Sequence, residues 1–202
     1  MPKIDLKKEL KHLYTGSAKE AMLVDVPHLS FLMVDGAGDP NKAQPFQDAV
    51  EALYGVSFAL KFMVKKERGV DYTVMPLEGL WWTDDMTQFS LEDKGKWKWT
   101  VMIMQPEYVE ADLVGRAAAQ VAKKKGGHPL SQLRFEGFHE GPSAQIMHIG
   151  PYATEPPTIQ KLHRFIKEKG HTSRGKHHEI YLSDPRRAAP ERMKTLIRQP
   201  IQ

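Results

Sequence analysis

The sequence predicts an α+β fold of duplicated β-α-β-β units related by a pseudo-twofold axis, with helices on one side and a concave ligand cleft on the other. Three observations predict it. Apolar residues make up 41 % of the 202, enough for a buried core, and no low-complexity tract interrupts them. Runs with the two-residue alternation of strands lie between segments with the period of helices. One order of elements also occurs twice, about 110 residues apart, a spacing much longer than solenoid periods.

In the first block a strand over 28–35 ends at Gly36. Asp39-Pro40-Asn41 then leads into a helix over 42–54, with Phe46, Val50 and Leu53 on one side and Gly55 as its stop. Strands are expected over 57–65, 71–77 and 97–104. A second helix, 107–125, has Glu107, Glu110 and Asp112 near its start and Lys123-Lys124-Lys125 before Gly126, an order that complements the helix dipole. Its apolar stripe is Leu113, Ala117 and Val121. The second block repeats the plan: strands over 131–138 and 143–149 end at Gly150, and Pro151 and Pro156 feed a helix over 156–169. Thr154 is its candidate cap, Ile159, Leu162, Phe165 and Ile166 its buried face, and Gly170 its stop. Strands over 177–183 and 194–199 complete the chain.

Residues 1–20 read as an N-terminal extension and 20–202 as a single domain of two repeats. The absence of Cys removes disulfides, thiolate metal sites and a Cys nucleophile together. No run has signal-peptide or membrane-span character, so a soluble cytoplasmic protein is expected. The net charge of +4 is spread along the chain, whereas nucleic-acid binding favours a concentrated basic stripe. Trp97-Lys98-Trp99, where rings and a base alternate, is the one stretch that would suit nucleic acid. The nine His residues show no metal-ligand spacing, and no phosphate-binding Gly loop or nucleophile elbow is present. The expectation is therefore no metal, no cofactor, no nucleic acid and no membrane partner, with the chain a monomer or weak homodimer.

The stretch His177-His178-Glu179-Ile180-Tyr181-Leu182-Ser183-Asp184-Pro185 carries the functional question. In a strand Ile180 and Leu182 face one way, Glu179 and Tyr181 the other. All four tryptophans fall between residues 81 and 99, with Trp97 and Trp99 sharing a face and the neighbours Trp81 and Trp82 opposed. A buried carboxylate among such rings suits two uses. It can attract a planar cation, each ring contact adding roughly 0.5–2 kcal/mol. Alternatively, desolvation raises its pKa and makes it a general base or acid near neutral pH.

Pro76-Leu77-Glu78-Gly79-Leu80-Trp81-Trp82, His148-Ile149-Gly150-Pro151-Tyr152 and Glu179-Ile180-Tyr181-Leu182-Ser183-Asp184-Pro185, in this order, resemble the GyrI-like small-molecule-binding family. The resemblance runs from about residue 20 to the C-terminus. It implies the duplicated fold, a pocket at the pseudo-twofold axis and a pocket acid matching Glu179. The tryptophan-rich middle is similar to the stand-alone subgroup described as cyclopropanoid hydrolases, which detoxify DNA-alkylating natural products.

A spirocyclopropane fused to a dienone opens when a nucleophile attacks, leaving a phenolate. Its hydrolysis needs a flat slot, a base for water and a donor at the developing oxyanion. The expected catalytic residues are Glu179 as base and Tyr152 as the second polar group. Trp81, Trp82, Trp97, Trp99, Tyr181 and His148 are the expected contacts to an aromatic small-molecule ligand, with Tyr181 also the backup for Tyr152. The alternation of Ala144, Ile146 and His148 also suits simple packing of that histidine. A non-catalytic protein that sequesters or senses planar drugs would use the same pocket.

Overall fold

The computed structural model describes residues 3–86, 93–125 and 129–202. Six antiparallel strands close into a barrel: β1 (Met22–Ala37), β2 (Leu77–Trp82), β3 (Lys98–Gln105), β4 (Arg134–Ile149), β5 (His177–Tyr181) and β6 (Lys194–Pro200). The order around the barrel is β1-β3-β2-β5-β6-β4. In each half the third strand lies between the other two, so β1-β3-β2 mirrors β4-β6-β5. The halves meet twice, at β2·β5 and at β1·β4.

Among the described residues five α-helices accompany the strands: α1 (Leu6–Glu9), α2 (Lys11–Tyr14), α3 (Gln44–Arg68), α4 (Ala111–Lys125) and α5 (Pro156–Glu168). Helices α3 and α5 are the equivalent crossovers of the two units, and α4 links them. The predicted stop of α4 at Gly126 lies outside the described residues.

Several expected elements differ. The 57–65 segment is not a strand but the second half of α3, which passes through Gly55 and ends at Gly69 in the left-handed conformation (φ 68°). Leu53, Val56, Leu60 and Val64 recur at helical spacing and are fully buried, and that continuous stripe outweighs the cost of about 1 kcal/mol for one internal glycine. Helix α4 lies over Gly55, where a Cβ would make an ordinary contact with Val121 at 3.4 Å. The 71–77 segment holds one isolated bridge, Tyr72 to Ile4, and pairing proper begins at Leu77, after Pro76, which has no N–H to give. Segments 131–138 and 143–149 are one strand, β4. Gly141 takes φ 69° without a turn, because β1 pairs with β4 in one register on both sides of it. Thr154 does not cap α5: its hydroxyl bonds Pro151 O and His148, and Glu155 takes the cap position.

The strands' two faces have different neighbours. Paired residues share a face, so the barrel interior holds Met33, Leu80, Met102, Met147, Ile180 and Leu196, all buried. Leu13 and Tyr14 of α2 join that cluster. The outer face lies under the helices: Phe46 of α3 packs on Trp81 and Trp99, and Leu162 and Ile166 of α5 pack on Ala144, Ile146 and Ile197. The face opposite the helices is therefore the inside of a barrel, closed because β1 and β4, each 16 residues long, reach one another. No helix among the described residues is long and apolar enough to cross a membrane.

Candidate functional site

The alternation of β5 sends its side chains in two directions. His177, Glu179 and Tyr181 go to the helix face, and His178 and Ile180 go into the barrel. Glu179 is 6 % exposed. Its Oε1 accepts from His177 Nε2 at 3.0 Å and its Oε2 from the Tyr181 hydroxyl at 2.7 Å. The Tyr181 hydroxyl in turn accepts from Trp81 Nε1 at 3.1 Å. Gly79 pairs with Glu179 and makes this chain possible: a Cβ at 79 would lie 2.8 Å from Trp81 Nε1. Burial works to raise the Glu179 pKa, but the hydrogen bonds from His177 and Tyr181 outweigh it and hold the carboxyl below its usual range.

A second acid stands beside it. Glu155, 3 % exposed at the N-cap of α5, is pushed up to about 9, first by burial and then by the negative charge of Glu179. Tyr152, in the 3-10 turn Tyr152–Thr154, is 37 % exposed and stands edge-on to Tyr181 at 5.7 Å. Burial and then Glu179 push its hydroxyl up to about 12, so it remains a proton donor at neutral pH. His148 lies below this turn, with Nδ1 2.9 Å from Thr158 Oγ1 and Nε2 3.2 Å from Pro151 O. It anchors the turn that carries Tyr152 and Glu155.

Three of the four tryptophans share the Glu179 face. Trp81 stacks on Phe46 at 5.8 Å and meets Trp97 at 5.2 Å, and Trp99 meets Phe46 edge-on, also at 5.2 Å. Trp99 lies flat over Gly36, where a Cβ would come within 2.2 Å of the indole. Trp82 is on the other face. It lines an open depression at the barrel end with Asp35, Lys98, Gln132 and Arg134, and Lys176 Nζ sits 3.4 Å from its ring centre.

His177, Glu155 and Phe46 were not among the residues expected at the site. His177 was legible in principle, since i and i+2 of a strand share a face. Glu155 was not, because Glu before Pro-Pro reads as a helix lead-in.

Inside the barrel His178 supports a different network. Its Nε2 is 3.0 Å from Glu78 and its Nδ1 2.9 Å from Glu140. Tyr14 donates to Glu78 at 2.8 Å, and Arg198 reaches Glu140 at 3.1 Å and Gln145 at 3.0 Å. With a carboxylate on each nitrogen, both must carry hydrogen, so His178 is an imidazolium. Burial opposes that charge, but Glu140 and Glu78 raise its pKa to about 9. Burial likewise opposes ionisation of Glu140, and His178 and Arg198 hold it at about 2.

A family model described as GyrI-like small molecule binding domain matches residues 19–202. Among solved structures, an uncharacterised conserved protein from Listeria innocua is 39 % identical, with a TM-score of 0.92 over 99 % of this chain and 100 % of that one. A protein from Listeria innocua described as a hydrolase is 38 % identical, with a TM-score of 0.89 over the whole of both chains. The C-terminal domain of EcmrR, at 11 % identity and a TM-score of 0.55 over 91 % of this chain and 97 % of that one, shares the fold. Among curated proteins no match to this chain is found.

Proposed function

Because the chain belongs to the GyrI-like family of small-molecule-binding domains, we propose that it is a hydrolase of planar aromatic electrophiles, opening the ring of cyclopropanoid alkylators with water activated by Glu179. The observation that carries this reading is the Glu179 carboxylate, buried yet ionised, oriented by His177 and Tyr181 beside Trp81. A base held in this way needs no reorganisation when it takes a proton from water. The hydrolase description of the Listeria innocua protein at 38 % identity supports the reaction type.

In the proposed reaction Trp81, Trp97 and Trp99 form the aromatic wall behind the site, and Tyr181 and Tyr152 flank the guest. Glu179 accepts a proton as the water oxygen bonds to the cyclopropane methylene. The strained C–C bond breaks and its electron pair ends on the dienone oxygen, to which the Tyr152 hydroxyl donates a hydrogen bond. His148 supports the turn bearing Tyr152. Incubation of the purified protein with a cyclopropanoid alkylator should give, by mass spectrometry, a catalytic amount of product heavier by one water, with oxygen from labelled solvent.

A second reading is sequestration without chemistry. The packing of Trp81 and Trp99 against Phe46, and of Trp97 against Trp81, favours it, since a rigid aromatic wall beside a carboxylate suits a stacked cation as well as a reacting one. Protection of the alkylator at one equivalent with no product would establish it in place of hydrolysis.

A further inference from the structure

We propose that Glu155 and Glu179 form a carboxyl–carboxylate pair holding a single proton, carried by Glu155, and that Glu155 thereby keeps Glu179 ionised. Its consequence for turnover rests on the hydrolase reading; the shared proton stands without it.

The two acids have unequal access to donors. Glu179 has two dedicated donors, His177 and Tyr181. Glu155 is equally buried, and its Oε1 has no hydrogen-bond partner among the described residues. A carboxylate at a helix N-cap is ordinarily stabilised by the backbone N–H of the second or third helical residue. Here the first two are Pro156 and Pro157, which have no N–H, and the Thr158 N–H is taken by the Glu155 carbonyl at 2.8 Å. The cap position therefore buries the acid without solvating its charge.

The other groups facing Glu155 do not change the assignment. They are Thr195 of β6, an uncharged hydroxyl donor; Lys94, a cation that acts on both acids; and Tyr152 and Tyr181, both neutral. Two neighbouring buried carboxyls do not both ionise, and the proton resides on the one with fewer donors: Glu179 accepts two hydrogen bonds, whereas Glu155 Oε1 accepts none among the described residues. That proton bonds back to Glu179. When Glu179 takes a proton from attacking water the pair holds two, and one leaves to the phenolate through solvent. The net reaction is substrate plus water, and the pair returns to one proton. Glu155 acts through Glu179, so it is a positioning residue.

The test is a pH titration of the protein labelled with carbon-13 at glutamate carboxyls, followed by NMR. One carboxyl should stay protonated through neutrality and titrate near 9. That resonance should be missing from Glu155→Gln and should move towards the ordinary value of about 4.3 in Glu179→Gln, where the negative neighbour is gone. If every glutamate is ionised by neutral pH, the shared proton is refuted. In turnover, wild type should lose activity on the alkaline side with the same midpoint, and Glu155→Gln, which keeps an N–H donor for Glu179, should keep turnover and lose that limb. An unchanged alkaline limb in the variant overturns the dependence of Glu179 on the Glu155 proton. A high-pH carboxyl in a protein that yields no product would refute the hydrolase reading alone.

Discussion

Two buried clusters grow from neighbouring residues of β5, and they are opposites in charge balance. Inside the barrel, Glu78 and Glu140 face His178 and Arg198, two anions against two cations, and Tyr14 and Gln145 complete the hydrogen bonding. Under the helices, Glu155 and Glu179 face His177 and the hydroxyls of Tyr181 and Thr195, and Glu155 Oε1 has no hydrogen-bond partner among the described residues. A satisfied, neutral network is what a structural role requires. An unbalanced one stores a shifted pKa, and groups in that condition cluster where chemistry is done. The comparison teaches that burial of acids alone does not mark a site; the mismatch between acids and donors does.

The contrast can be broken by mutation. Arg198→Met leaves Glu78 and Glu140 to share one cation, His178, and should cost about 3–5 kcal/mol in urea denaturation. If it is neutral, the inner network is not what holds the barrel. Glu179→Gln should lower turnover by roughly 100- to 10,000-fold while the chain stays folded; comparable kinetics for both proteins would remove the proposed base. Tyr14→Phe, which deletes a hydrogen bond to an ionised acid, should cost about 1.5–3 kcal/mol. It also tests whether the first twenty residues are part of the domain, since the Gln145 side chain additionally bonds the carbonyls of His12 and Thr15.

Titration separates the clusters again. Glu155 binds its proton more tightly folded than unfolded, so it stabilises the fold below 4.5 and that contribution is lost as pH rises to about 9. Glu155→Gln should therefore gain melting temperature over wild type progressively across that window, with little difference at its acid end. His178 has the same sign, contributing below 6.5 and losing its contribution as pH rises through about 9. Glu140 has the opposite sign, its contribution failing only as pH falls towards about 2. The smallest effect should be at Lys176, whose contact with Trp82 belongs to neither cluster: Lys176→Gln should cost about 0.5–1 kcal/mol in the same denaturation assay.

Much of the architecture was legible. The doubled β-α-β-β plan followed from paired Gly and Pro punctuation, and α5 was read to within a residue because its apolar spacing, Pro start and Gly stop agree. Where one cue stood against the others, the reading failed. Gly55 looked like an end because glycine usually is one, yet a second helix lay over it. Residues 131–138 and 143–149 were expected as two strands, yet β1 pairs with both in one register and makes them one. For the site, the two faces of β5 and the separation of Trp81 from Trp82 followed from alternation. Glu155 did not, because nothing local distinguishes an acid that points at solvent from one that points at another acid.

By itself the sequence determined which side chains of each strand stand together: His177 with Glu179 and Tyr181, and His178 with Ile180. That follows from backbone geometry, since alternate residues of any strand point the same way. Only the tertiary structure decided what each face meets. The closing of β1 on β4 turned the inner face into a charge-balanced interior, and the seating of α5 on β4 and β6 brought Glu155 across from Glu179. Both depend on packing between residues far apart in the chain, to which local pattern is blind.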